Sequence, residues 1–327
     1  MWQRIVSWRP DPLIVGIVAA AILAIFFPAS GTTAEVFSWA TKIAIGFLFF
    51  LYGARLSPQD ALAGVKHWRL HITILAFTFV LFPILGLLMK PLDWILSPGL
   101  YLGILYMTLA PSTVQSSVNF TSIAKGNVAG AIVSASASNL LGIVVTPVLV
   151  MLLMATGGGV HVDSSVFLDI SLQLLLPFAI GQLTRRWTLK FAAAKTTKNV
   201  DRLSIALVVY AAFSEGMVQG IWSKVPAGDI VILIVLSVVL VEFVLRLSGF
   251  VAKKMGFDRK DRIAIQFCGS KKSLATGLPM AAVIFGADAS LYVLPLMIFH
   301  QIQLIICAVC AARWGKEAEA QPEPQPA

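Results

Sequence analysis

Charge is scarce in this chain. Only 13% of its 327 residues are Asp, Glu, Lys or Arg, about half the share of an average soluble domain, while 58% are hydrophobic. Such a chain cannot cover a soluble surface of ordinary polarity. Cysteine is scarce too: Cys268, Cys307 and Cys310 are too few for a disulfide framework. The last two have C-x-x-C spacing, but no second pair and no His-rich partner accompanies them. They read as small packing residues one turn apart in an apolar run. Also missing are a DDxxD-like carboxylate cluster, an HExxH and a GxSxG, which argues against a membrane-embedded lipid-modifying enzyme. No cofactor motif is present.

What the sequence does have is a succession of apolar runs, each able to cross a hydrocarbon core of ~30 Å. They fall at 12–30, 36–54, 70–89, 99–123, 127–154, 164–183, 203–221, 229–252, 262–285 and 290–313. That makes about ten spans of roughly 20 residues, an all-α integral membrane protein. The opening "MWQRIVSWRPDP" sets Arg4 and Arg9 ahead of the first run as a signal peptide would. No small-residue cleavage site follows, so it reads as an uncleaved first span.

A net charge of +9 would suit a nucleic-acid partner if the basic residues were not sorted by loop. Lys and Arg gather in alternate loops, most densely at 185–202 and 253–262, and the intervening loops hold only Lys90 and Lys224. By the positive-inside rule both termini are cytoplasmic, as an even number of crossings requires. The basic balance therefore reports orientation, with no nucleic acid implied. Residues 315–327, rich in Pro, Glu and Ala, are expected to be a disordered cytoplasmic tail.

Dividing the chain near 155–165 leaves five crossings in each half. Five is odd, so the second half starts from the opposite side, and the halves are inverted repeats of the kind common in secondary transporters. The fourth span of each half is polar and helix-breaking. In the first, Pro111 is followed by Ser112, Thr113, Ser116, Ser117 and Asn119; in the second, "QFCGSKKSLATGLPM" carries Gln266, Ser270, Lys271, Lys272 and Ser273. Non-helical backbone at that depth persists only where it lines protein or water. A half-helix starting near Ser273 would aim its positive end at the break. For any single serine, helix packing is the plainer account.

These residues resemble a known family. "LAPSTVQSSVNFTSIAKGNVAGAI...GIVVTP" is similar to the fourth and fifth helices of the bile acid:sodium symporter family, and "RIAIQFCGSKKSLATGLPM" with "IFHQIQLI" to its ninth and tenth. The nearer branch is the one related to the seventh human member of that carrier family. The resemblance implies one ten-helix transport unit, 1–314, with a panel at 12–54 and 164–221 and a core at 70–154 and 229–313. It also implies broken fourth and ninth helices that cross at ion sites, and alternating access with substrate between panel and core. Sodium-coupled members place a carboxylate where this chain has Gln266. The family's glutamine four residues later falls on Ser270, and the following asparagine falls on Lys271. The resemblance also brings His300, Gln301 and Gln303 near the crossing.

A charged residue at the bilayer centre costs roughly 2.5–3.5 kcal/mol, so adjacent lysines need a reason. One reading puts an ammonium in the place of the sodium ion. Because burial disfavours the charged form of any amine, the same group could also exchange a proton. A second has a lysine and a half-helix N-terminus binding an anionic substrate group. In a third the lysines are structural and paired to a carboxylate, with Glu242 the best partner unless Arg246, at i+4, already claims it. Ion-site candidates are thus Ser116, Ser117, Asn119, Gln266, Ser270, Lys271, Lys272, Ser273 and Gln301. Substrate-facing candidates are Pro111, Ser112, Thr113, Glu215 and His300.

The function expected is secondary transport of an anionic or amphipathic small molecule across a bacterial inner membrane, coupled to sodium, to protons or to neither. Its rivals are a solute sensor on a transporter fold and the lipid-modifying enzyme. Membrane lipids are the other expected partner; the oligomeric state is open.

Overall fold

The computed structural model describes residues 12–55, 67–154, 171–218, 220 and 225–320. Among them the chain is helical with no strand. In order come α1 (Pro12–Phe26), α2 (Thr32–Arg55), α3 (Trp68–Leu88), α4 (Leu100–Leu109), α5 (Gln115–Ile123), α6 (Val128–Met154) and α7 (Leu176–Leu183). Then follow α8 (Arg185–Ala192), α9 (Lys195–Val218), α10 (Ala227–Lys254), α11 (Arg259–Gly269), α12 (Leu274–Phe285) and α13 (Ala289–Ala320). The expected division at 155–165, the N-terminal Arg4 and Arg9, Lys66 and residues 321–327 lie outside the described residues.

Five of these helices, α2, α3, α6, α10 and α13, are long and apolar enough to cross a membrane. Their outward faces show what surrounds them. In α10, Leu233, Leu240, Val241 and Val244 are buried, yet Val231, Val235, Val238 and Val239 on the other side are exposed. A helix apolar all round needs an apolar medium outside. The protein is a multi-pass membrane protein.

Helix ends follow local chemistry. Asp258 caps α11 by accepting from the Asp261 N–H at 2.7 Å. Pro28 follows the end of α1, and Gly31 (φ 57°) precedes α2. The apolar run at 99–123 is two helices, α4 and α5, separated at Pro111, which has no N–H to continue the ladder. One expectation needs correction here. The tail expected from residue 315 is helical as far as Ala320. Lys, Glu and Ala are strong helix formers, and an Arg313–Glu317 pair at 2.9 Å spans one turn of the extension.

The chain forms two compact units. One comprises Met1–Leu56, Ser164–Lys224 and Leu278–Leu291, the other Ser57–Asp163, Val225–Gly277 and Tyr292–Ala327. Within the first, α2 packs on α7 and on α9, and α1 packs on α9. Gly53 faces the Phe178 carbonyl and Gly181 faces the Phe50 carbonyl, so α2 and α7 approach backbone to backbone. Arg55 pairs with Asp201 and donates to the Ala192 carbonyl at 2.7 Å. In the second, α11 packs on α10, α5, α3 and α6, and this unit holds both polar breaks.

Candidate functional site

Each break is a short non-helical stretch between two half-helices: 110–114 between α4 and α5, and 270–273 between α11 and α12. Backbone freed by one break is taken up by the other. The Ser273 N–H donates to the Pro111 carbonyl at 2.7 Å. Ser112 Oγ donates to the Cys268 carbonyl at 2.6 Å, and Ser117 Oγ to the Phe267 carbonyl at 3.1 Å. Helix α6 supplies the remaining partners. Ser138 Oγ accepts from the Ser112 N–H (3.0 Å), Thr146 Oγ1 donates to the Leu109 carbonyl (2.8 Å), and Asn139 Nδ2 donates to the Ser112 carbonyl (2.6 Å). On its other side Asn139 Oδ1 accepts from Thr276 Oγ1 at 2.6 Å. These serines and threonines meet the demand that buried backbone be hydrogen-bonded.

Lys272 lies at the centre of this arrangement and is fully buried. Its Nζ donates to three backbone carbonyls, of Thr78 (2.9 Å), Thr108 (2.7 Å) and Ala110 (2.8 Å). All three are carbonyls that a regular helix would have occupied. Helix α3 contains a π turn at Phe77–Leu81, in which the Phe82 N–H bonds Phe77 instead of Thr78. The residue next in that register, Pro83, has no N–H, so the Thr78 carbonyl is left over. Thr108 and Ala110 lie where α4 ends, with Ala110 extended (φ −66°, ψ 149°). The ammonium therefore sits at the negative end of α4, and the Phe82 ring lies 4.3 Å from it. Charged-donor hydrogen bonds contribute about 1.5–3 kcal/mol each. Three of them offset the several kcal/mol that burial of an ion costs, by order of magnitude.

The Lys272 backbone is held as firmly. Gln303 on α13 accepts from its N–H and donates to its carbonyl, both at 2.8 Å. The second hydrogen of the same amide points to His300 Nδ1, 2.8 Å away, which makes Nδ1 the acceptor nitrogen of that ring.

Lys271 is equally buried but bound differently. Its Nζ has no hydrogen-bond acceptor among the described residues. Instead it lies 4.0 Å from the centroid of Phe120 on α5 and 5.2 Å from that of Phe267 on α11, with the thiols of Cys268 and Cys307 beside it. A desolvated cation over an aromatic face gains about 2 kcal/mol, less than the three carbonyls give its neighbour. The adjacent side chains diverge within the non-helical stretch between α11 and α12.

The structure thus sorts the residues singled out in the sequence. Ser117, Ser270, Lys271, Lys272 and Ser273 are buried at the crossing, and Ser116 bonds Thr113 at 2.6 Å. Ser273 also caps α12, accepting from the Thr276 N–H at 3.3 Å. Pro111, Ser112 and Thr113 are buried, and the two hydroxyls bond protein at the crossing. Asn119 is exposed. Gln266 gives its amide to the Leu245 carbonyl on α10 at 3.0 Å. Gln303, not Gln301, reaches Lys272, because residues 300 and 303 share a helix face and 301 does not. Glu215 is exposed near the end of α9. Glu242 is no partner for either lysine: Arg246 claims it at 3.0 Å, one turn along α10.

Sequence reading missed the cage itself. Its acceptors are carbonyls of Thr78, Thr108 and Ala110, and a residue's carbonyl leaves no mark in its letter. Pro83 and Pro111, each removing an N–H near those carbonyls, were the available signal.

The model of the SBF-like CPA transporter family matches residues 11–316. "Uncharacterized protein PA2026" of Pseudomonas aeruginosa is 49% identical over 314 residues, 95% of this chain and 94% of its own. "Putative symporter YfeH" of Escherichia coli is 47% identical over 318 residues, 94% of each. "Sodium/bile acid cotransporter 7" of Danio rerio is 28% identical over 323 residues, 92% of each.

Proposed function

The chain belongs to the SBF-like CPA transporter family, a transporter and not an enzyme, and from that membership we propose that it is a sodium-independent secondary transporter of a small organic anion. In this reading the Lys272 ammonium stands where sodium-coupled relatives hold an ion. The observation that carries it is the three-carbonyl cage at 2.7–2.9 Å. Oxygen ligands converging on one point suit a hard cation, and here the cation is covalently attached. Gln266 in place of a carboxylate, with its amide bonded to α10, supports the same conclusion.

The rest of the reading extends from this. The two halves of the chain are inverted five-span repeats, completing ten spans with the half-helices counted in pairs. Transport proceeds by alternating access in the bacterial inner membrane with both termini cytoplasmic. The substrate is anionic, in keeping with the two permanent or intermittent positive charges at the crossing and with a relative named for bile acid.

The test is the melting temperature of the purified full chain in sodium or choline at matched ionic strength. Wild type is expected to melt at the same temperature in both, and Lys272→Ala to melt lower and regain part of the loss in sodium. Specific stabilisation of wild type by sodium would overturn the reading. A panel of organic anions in the same assay identifies the substrate class through binding to the folded state.

A further inference from the structure

Two lysines adjacent in sequence have opposite surroundings, and the difference divides their labour. Lys272 Nζ has an oxygen acceptor for each of its three hydrogens. Lys271, equally buried, has none among the described residues. An aromatic face holds an ammonium, but it packs equally well against an aliphatic stem and a neutral amine. Carbonyl oxygens have no such tolerance, since each needs a donor. The Lys271 site is therefore built to accept both states of one side chain.

We propose that Lys271 is a proton-binding site, taking up and releasing one proton while Lys272 stays charged. This rests on the reading of Lys272 as the resident cation, which leaves the neighbouring amine free for coupling. The step balances simply. On release the proton passes from Nζ to water and the lone pair remains on nitrogen; on uptake hydronium returns it, with no redox partner involved.

The groups facing Lys271 bear this out. On α5 there is the uncharged Phe120 ring, and on α11 Phe267 and the thiol of Cys268. On α13 there is the thiol of Cys307, next to Ser270, with Cys310 one turn on. On α10 the only acidic group in electrostatic reach of those thiols is Glu242, already neutralised by Arg246. Gln303 is committed to the Lys272 backbone and, through its second amide hydrogen, to His300. No carboxylate among the described residues fixes the charge on Lys271.

The experiment uses the full chain labelled with ¹³C at lysine Cε, in detergent. The Lys271 methylene beneath Phe120 gives a ring-shifted resonance, assigned by its loss in Lys271→Met. That resonance is expected to titrate over a pH series, while that of Lys272 stays fixed. In parallel, wild type and Lys272→Met are expected to show the same pH-dependent step in melting temperature, and Lys271→Met none. If the Lys271 resonance does not move, or Lys271→Met keeps the step, the proposal fails. Sodium stabilisation of wild type with an intact Lys271 titration would sink the resident-cation reading alone, so the two failures are distinguishable.

Discussion

The backbone N–H of Ser273 donates to the carbonyl of Pro111 at 2.7 Å, so the two helix breaks, 162 positions apart by residue number, complete each other. A broken helix in a bilayer must find partners for the groups it frees. Here each break supplies part of the other's need, and α6 supplies the rest through Ser138, Asn139 and Thr146.

Asn139 links the first break to the start of α12, through the Ser112 carbonyl and Thr276 Oγ1. Asn139→Ala is expected to cost about 2–3 kcal/mol, because it strands a buried carbonyl and a hydroxyl. Thr276→Ala alone is expected to cost about 1 kcal/mol. Melting temperatures of the two single variants and the double, at one scan rate, test whether the costs are coupled. Additive losses would show that Asn139 serves only one break.

In the other unit α2 and α7 pack through small residues. A Cβ added at Gly53 or Gly181 would run into a backbone carbonyl of the facing helix, which cannot rotate aside as a side chain can. Gly53→Ala and Gly181→Ala are each expected to destabilise by about 1–3 kcal/mol. Gly46→Ala, whose added Cβ would meet only the Pro177 ring at 3.8 Å, is expected to leave the melting temperature close to that of wild type.

Much of this was legible in the sequence, and the reason it stopped where it did is physical. Hydropathy and composition gave a membrane protein because the bilayer imposes both. Pro111 and the Gly-Ser-Lys-Lys run marked both breaks, since helix breakers among apolar residues are conspicuous. Glu242, by contrast, looked like a partner for a lysine until its i+4 neighbour Arg246 proved the nearer charge. Gln301 and Gln303 are indistinguishable by type; helix phase alone brings Gln303 to Lys272. The C-terminal boundary was misplaced because a charged, Pro-bearing tail and a charged helix look alike until the packing of Gly315 against the Ile123 carbonyl is seen.

That packing is secured by Arg259, which donates to the carbonyls of Trp314 (2.6 Å) and Ala124 (3.3 Å). One guanidinium thereby ties the end of α5 to the last turns of α13. Arg259→Ala is expected to raise amide exchange over residues 315–320 while leaving 128–154 protected, because end turns without tertiary support open locally. Uniform acceleration across the chain would show that Arg259 contributes to global stability instead.

The π turn in α3 gives a prediction whose sign is informative. Proline inside a helix ordinarily costs about 3 kcal/mol, so Pro83→Ala in an isolated helix would stabilise it. In this protein the same change supplies an N–H that competes for the Thr78 carbonyl, one of the three acceptors of Lys272. The gain in α3 is then offset by the loss of a charged hydrogen bond of about 1.5–3 kcal/mol. Pro83→Ala is accordingly expected to raise the melting temperature in a Lys272→Met background, where the carbonyl has no competing donor, and to raise it less or lower it in wild type. Equal effects in both backgrounds would mean that the Thr78 carbonyl does not depend on Pro83, and that the cage owes nothing to the π turn.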